Sequence, residues 1–349
     1  MKKLTAIIFL SYIFSSTSLA CTTFFINKNG QLVFGRNYDW ITAAGMICTN
    51  LRGLQKTSIK QDDGKTMSWT SNYGSITFNQ YGKEFPTGGM NEKGLIVELM
   101  WLEGTKFPDP DGRPSMHVLQ WIQYELDQNS TVDEVIASDK LVRITSRGTP
   151  IHYLVADAEG NVATVEFLKG KMVVHKGKDL PFAVLTNSTY DESVQKIKGV
   201  DNSRSFADNS IDRFARACSM VQQFQLQNIN TPIVDYAFGI LNKVSSGDWT
   251  KWSIVYDITN RKISFKSHDF TDIKTVSFSA FDFSCASFPK MFDINQNSNG
   301  EVSASFKNFS IDDSKPILEA AVHESRSQVN IPEAAIEAIL NYSREIKCK

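Results

Sequence analysis

The chain has 349 residues, and its 37 Lys and Arg nearly cancel its 38 Asp and Glu to leave a net charge of −1. That balance excludes a basic stripe for nucleic acid or acidic lipid and long-range steering of a charged substrate, while a 42% hydrophobic content is enough for the core of one large domain or two ordinary ones. Five widely spaced cysteines exclude a disulfide-stapled scaffold, and no C-x-x-C or H-x-x-x-H pair supports a metal site.

In chain order, Lys2 and Lys3 precede a short apolar run, Ala6 to Phe14, and Ser18-Leu19-Ala20 fits the small-x-small rule of signal peptidase. The run is too short to anchor in a bilayer, and no second run of about 20 apolar residues follows. Residues 1–20 are therefore expected to be a removed leader. The mature chain then begins at Cys21, has no membrane span and resides in the periplasm or outside the cell. The rival is a non-catalytic lipoprotein anchored at Cys21, but such anchors normally have Leu three residues back, where this chain has Ser18.

Thr22 to Ile26 reads as a strand, Asn29-Gly30 as a hairpin turn and Gln31 to Gly35 as the return. With a two-residue turn Cys21 faces Tyr38, and with a four-residue turn it faces Arg36. Both registers bring Arg36 and Asp39 to the new terminus. Leu95 to Leu102 reads as a buried strand and Met116 to Asp127 as a helix, while Thr131 with Glu134 reads as a capping box. A meander follows through residues 152–187. Asp208-Asn209-Ser210 caps a helix, Pro232 opens another, and residues 252–268 form a late hairpin. Residues 294–315 are polar and read as loop or linker, and Pro332 to Ile346 reads as an amphipathic helix. Strands at both ends with helices between indicate an α+β fold.

An N-terminal cysteine carries both parts of an acyl-transfer centre. Its thiol is the nucleophile, and its own α-amine, with a pKa of about 7.7–8.0, serves as base. No histidine is needed, and His117, His152, His175, His268 and His323 stand in no catalytic pattern. A thiolate needs a nearby cation and the charged amine a carboxylate, which are roles for Arg36 and Asp39. Cys48, Cys218, Cys285 and Cys348 leave room for two bridges, although the plainer reading is that most are buried thiols.

C-T-T-F-F followed by G-R-N-Y-D-W resembles the choloylglycine hydrolase and penicillin V acylase family, N-terminal-nucleophile hydrolases of linear amides. "GGMNEKGL" at 88–95, "AVLTNST" at 183–189 and "DRFARA" at 212–217 continue the likeness in order, to about Lys266. The resemblance implies a four-layer αββα sandwich of two antiparallel sheets between helical layers. It also implies Cys21 as nucleophile and base, with Arg36 and Asp39 orienting thiol and amine. Asn91 is implied as an oxyanion donor through its side-chain amide, Asn187 as its partner through the backbone N–H, and Arg213 as a second arginine beside the nucleophile. Gly88, Gly89 and Gly94 read as turn glycines.

The implied reaction is hydrolysis of an N-acyl amide through a Cys21 thioester, with no metal or organic cofactor. Candidate substrates are bile-salt conjugates, penicillin V and long-chain N-acyl amides, and a peptide- or peptidoglycan-directed cysteine amidase is the rival enzyme. Phe24, Trp40, Met100 and Trp101 are candidates for the acyl pocket. The Asn187–Arg213 interval is shorter than in relatives that carry a projecting assembly segment, so the family's tetramer is not carried over and homo-oligomerisation stays open. Residues 21–349 are expected to form one catalytic domain, with about 290–349 an extension that matches no motif.

Overall fold

A computed structural model describes residues 20–61, 63–197 and 209–349. Of the expected leader only Ala20 falls among them, and Asp208 of the expected helix cap lies outside the described residues. The chain opens with β1 (Thr22–Lys28) and β2 (Gln31–Asp39). There follow β3 (Met46–Asn50), β4 (Leu54–Thr57), β5 (Ser68–Thr70), β6 (Ser75–Asn79), β7 (Pro86–Asn91), β8 (Ile96–Trp101) and β9 (Ser115–Met116). Helices α1 (Val118–Gln128) and α2 (Val132–Ser138) lead into β10 (Arg143–Ile144), β11 (Ile151–Ala156), β12 (Val162–Leu168), β13 (Lys171–Lys176) and β14 (Val184–Leu185). Next come α3 (Tyr190–Lys196), α4 (Ser210–Leu226) and α5 (Ile233–Lys243), then β15 (Thr250–Asp257), β16 (Lys262–Ser267) and β17 (Lys274–Ser277). The last stretch holds β18 (Lys290–Asp293), β19 (Gly300–Glu301), β20 (Lys307–Asn308), α6 (Ile311–Ser325), α7 (Glu333–Glu345) and β21 (Lys347–Cys348).

Two large sheets form the middle of the molecule. One runs β14-β1-β2-β15-β16-β17-β19 and the other β13-β12-β11-β8-β7-β6-β3-β18-β20. Helices α4 and α5 pack on β1, β2 and β15 of the first, and α1 packs on β7 and β8 of the second. The result is the four-layer αββα sandwich. Pairing within the two sheets is antiparallel except for the short β19, which runs parallel to β17. Aromatic rings fill the space between the sheets. Tyr38 stacks on Trp252 with centroids 4.6 Å apart, and Phe78 of the second sheet meets Tyr256 of the first edge-on at 6.1 Å.

Local signals set most elements. Asn29 and Gly30 both have positive φ, 53° and 79°, the mirror-image turn whose twist matches a hairpin. Lys28 therefore faces Gln31, the two-residue register. Thr131 and Glu134 form the capping box, and the Asn209 side chain accepts from the N–H groups of Ile211 and Asp212. Helix α1 begins at Val118 rather than Met116, because Ser115 and Met116 pair with Arg143 and Ile144 in a short parallel ladder. The polar stretch 294–315 is not a plain linker. It holds β19 and β20 and enters α6, whose buried face of Ser314, Leu318, Ala321, Val322 and Ser325 is too small and polar to show as a hydrophobic stripe.

Cys285 and Cys348 form a disulfide, while Cys21, Cys48 and Cys218 are buried thiols. The bridge spans 63 residues of sequence, and closing such a loop typically contributes about 2–4 kcal/mol. Cys348→Ser is expected to lose about that much in urea unfolding, and reductant added to the parent protein should reproduce most of the loss.

Candidate active site

The first hairpin places Cys21 against Asp39. The Cys21 thiol points at the main-chain oxygen of Asp39 from 3.7 Å. Burial pushes the thiol up to about 11 with help from the Asp39 charge, while Arg36, the Asp39 backbone and Arg213 pull the other way. Asp39 is itself fully buried, and neither carboxylate oxygen has a hydrogen-bond partner among the described residues. Burial raises its pKa to about 6, opposed first by Arg213 and then by the Thr250 and Ser246 side chains, which stand outside good hydrogen-bond geometry, and by Arg36.

Arg36 does more than face the thiol. Its guanidinium pairs with the Glu98 carboxylate, donates from Nη1 to Thr87 O at 3.0 Å and from Nη2 to Leu99 O at 3.1 Å, and lies 4.7 Å from the Tyr38 ring centre. The Tyr256 hydroxyl donates to the other oxygen of Glu98. The last couple of the β7–β8 ladder is Gly88 with Glu98, so Arg36 sits where the two strands part. Burial lifts Glu98 to about 7, against the pull of Arg36. A Cβ on Gly88 would fall 1.9 Å from the Glu98 carboxylate. Gly88 is therefore a strand glycine that makes room for this pair, and Gly89 lies in the same strand. Only Gly94, at φ +90°, is a turn glycine of the three.

On the far side of the thiol, Arg213 from α4 donates to Asn187 Oδ1 at 2.8 Å. Asn187 Nδ2 donates to Trp101 O at 2.9 Å. The second Nδ2 hydrogen has no protein acceptor among the described residues, whereas the Asn187 main-chain N–H is taken by Ser210 Oγ at 3.0 Å. Beyond these groups opens a cavity of about 390 Å³. Cys21, Asp39, Trp40, Tyr81 and Trp101 line it, and so do His117, residues 329–332, Ala335, Ala338 and Ile339. His117 caps α1, and burial lowers its pKa to about 4, so it faces the cavity as a neutral ring. Among the described residues no group of three or more His, Cys, Asp or Glu is placed to hold a metal ion.

The family model of linear amide C–N hydrolases, choloylglycine hydrolase family, matches residues 21–222. The chain belongs to this family. A penicillin V acylase of Pectobacterium atrosepticum is 30% identical over 245 residues, which cover 62% of this chain and 62% of the relative, less than two thirds of its length. A solved penicillin V acylase from Agrobacterium tumefaciens is 25% identical with a TM-score of 0.72, covering 83% of this chain and 98% of that one. A variant of conjugated bile acid hydrolase from Clostridium perfringens, 19% identical with a TM-score of 0.66 and covering 79% of this chain and 98% of that one, shares the fold.

Within the choloylglycine hydrolase fold, Cys21, Arg36, Asp39, Asn187 and Arg213 converge, but Asn91 does not join them. Both its Nδ2 hydrogens are spent on Leu126 O and Asn129 O, at 2.9 and 2.7 Å, and its Oδ1 accepts from the N–H groups of Lys93 and Leu95. It fastens the β7–β8 turn to the end of α1 and has no hydrogen left for an oxyanion. For Asn187, the side-chain amide replaces the expected main-chain N–H as the available donor. Trp40 and Trp101 line the cavity, but Phe24 and Met100 do not. Phe24 alternates to the face of β1 opposite Cys21, where its ring covers Gly35, and the Met100 sulfur accepts from the Thr23 hydroxyl between the sheets.

Glu98 is the functional residue that sequence reasoning missed. Its signal is a lone carboxylate in the otherwise apolar "LIVELMWL". Removing one partner of a buried ion pair strands the other charge. Glu98→Ala is therefore expected to cost about 3–5 kcal/mol in urea unfolding. The double change Arg36→Met with Glu98→Met should cost clearly less than the two single changes added together.

Proposed function

We propose that this chain hydrolyses linear N-acyl amides with an uncharged apolar acyl group, through a thioester on Cys21 made N-terminal by removal of residues 1–20. The observation that carries this is the Asp39 carboxylate, buried beside the thiol with neither oxygen hydrogen-bonded among the described residues. A buried carboxylate without hydrogen-bond donors is costly. An α-ammonium created at Cys21 supplies the missing donors. A thiol held at about 11 is almost wholly protonated near neutrality, and the same new cation draws it down. The unprocessed chain is thus expected to be silent.

The Cys21 amine and thiol together hold one reactive proton, which sits on the amine in the ammonium–thiolate form, and from this form the sulfur attacks the amide carbon. The free Nδ2–H of Asn187 serves the oxyanion, together with the Trp101 main-chain N–H. The strand register turns that N–H away from β11, because Leu102 N bonds Pro150 O, and toward the side where β7 has left the ladder. The α-ammonium returns the proton to the leaving nitrogen as the C–N bond breaks. Water then adds to the thioester, giving the carboxylic acid and the free thiol. A thiol this deeply buried is poorly placed as a lipid anchor. The Cys285–Cys348 bridge fits an oxidising compartment, in agreement with an exported leader.

Mature protein is expected to begin at an unmodified Cys21 by intact mass and to hydrolyse N-acyl amides, and Cys21→Ala is expected to abolish turnover. A mass increment from lipid, or undiminished turnover in Cys21→Ala, would overturn the mechanism.

Processing should also change the dependence of stability on pH. With the leader retained, Asp39 has a folded pKa of about 6 against an ordinary 3.8. The unfolded chain then gives up this proton first as pH rises, so the Asp39 contribution to stability is present below about pH 4 and lost by about pH 6. Pairing with the α-ammonium lowers the folded pKa and reduces the loss. Melting temperatures of leader-retaining and processed protein across that window, with Asp39→Asn as control, check it. Identical profiles would remove the amine–Asp39 pairing.

A further inference from the structure

We infer that the C-terminal arm, residues 326–345, is the specificity-determining wall of the acyl pocket and that it sets the longest apolar chain the site accepts. This rests on the acyl-amide reading above. The arm lies beyond residues 21–222, which the family model matches, and no sequence motif marks it. Yet Val329, Ile331, Ala335, Ala338 and Ile339 line the cavity that Cys21, Trp40 and Trp101 also line.

The chemistry of the arm matches an uncharged chain. Ala335, Ala338 and Ile339 stand at i, i+3 and i+4 on one face of α7. Val329, Ile331, Ala335 and Ile339 are only half-buried, and they line the cavity. Covering such surface with an acyl chain is favourable and covering it with a charge is not. Among the described residues no Lys or Arg lines the cavity, so an anionic tail would find no cationic partner there.

The arm is also held in a fixed place, which a length limit requires. The Trp40 indole N–H donates to the Tyr81 hydroxyl at 2.8 Å, and that hydroxyl donates to Ser325 Oγ at 2.9 Å, a direct line from the cavity to the base of the arm. Tyr342 meets the cavity residue Phe85 edge-on at 5.5 Å. Ile339 packs so closely over Gly82 that a Cβ there would lie 2.3 Å from its Cγ2. Past α7, β21 pairs with β4, and Cys348 is bonded to Cys285. The small residues Ala335 and Ala338 leave the volume that a larger side chain would fill.

The test uses processed protein and N-acyl p-nitroanilides from butanoyl to dodecanoyl. Ala335→Phe is expected to lower the dodecanoyl-to-butanoyl ratio of kcat/KM at least tenfold, since lost contact with two methylenes is worth about that factor. Ile339→Ala is expected to raise the ratio several-fold, and it decides the matter if Ala335→Phe does not fold. A ratio unmoved by both changes, or every substrate shifting in parallel, would overturn the arm as a specificity wall. Calorimetric binding of dodecanoate to Cys21→Ala protein, with and without Ala335→Phe, gives a second reading. Tenfold weaker binding supports the wall and equal binding overturns it. If the parent enzyme cleaves none of the amides, the hydrolase reading fails while the dodecanoate result still decides the inference.

Discussion

The buried pair of Arg36 and Glu98 is the constraint on which the site depends. Two fully buried charges persist only if each is neutralised and its hydrogen-bonding capacity used. Here Glu98 takes Arg36 and the Tyr256 hydroxyl, and Arg36 also donates from Nη1 to Thr87 O and from Nη2 to Leu99 O, which leaves only its Nε without a partner among the described residues. The pair therefore joins the two central sheets at the point where β7 and β8 separate. Thr87, Leu99 and Trp101 line the cavity from the parted ends of those strands. Gly88 belongs to the same constraint, because any side chain there would occupy the space of the Glu98 carboxylate.

The charge balance of the site follows. Arg36 and Arg213 stand against Glu98 and Asp39, so the buried groups sum to zero while the thiol keeps its proton. An α-ammonium adds one positive charge to a buried region, and the group best placed to restore neutrality is the thiol, by ionising. On the proposed reading, the ammonium–thiolate state is thus favoured by the surroundings as a whole. That is a firmer basis for reactivity than a single neighbouring base.

Much of this was legible because it is local. Asn29-Gly30 dictates the register that brings Cys21 to Asp39, and the caps at Thr131 and Asn209 mark two helices. What failed was long-range. Asn91 sits in a motif that suggested chemistry, but its amide answers to carbonyls at the end of α1, a packing fact that no spacing reveals. Phe24 and Met100 carry the right chemistry on the wrong strand face or in the wrong layer. Glu98 was hidden because its partner lies 62 positions away. The helix of the arm was legible as the amphipathic stretch Pro332 to Ile346, but its place at the cavity was not, because the residues it packs on, Gly82 and Phe85, lie far earlier in the chain.

The pairing of β21 with β4 also bears on how the molecule is assembled. Lys347 and Cys348 lie beside Gln55 and Leu54, so the clamp joins a late segment of the chain to an early one. During synthesis the hairpin bearing Cys21 emerges well before the residues that narrow the cavity. Contacts of such separation form late and slowly. An incompletely made or clipped chain would therefore hold its nucleophile in a cleft with one side open to water, in which a thioester meets hydrolysing solvent and foreign thiols alike.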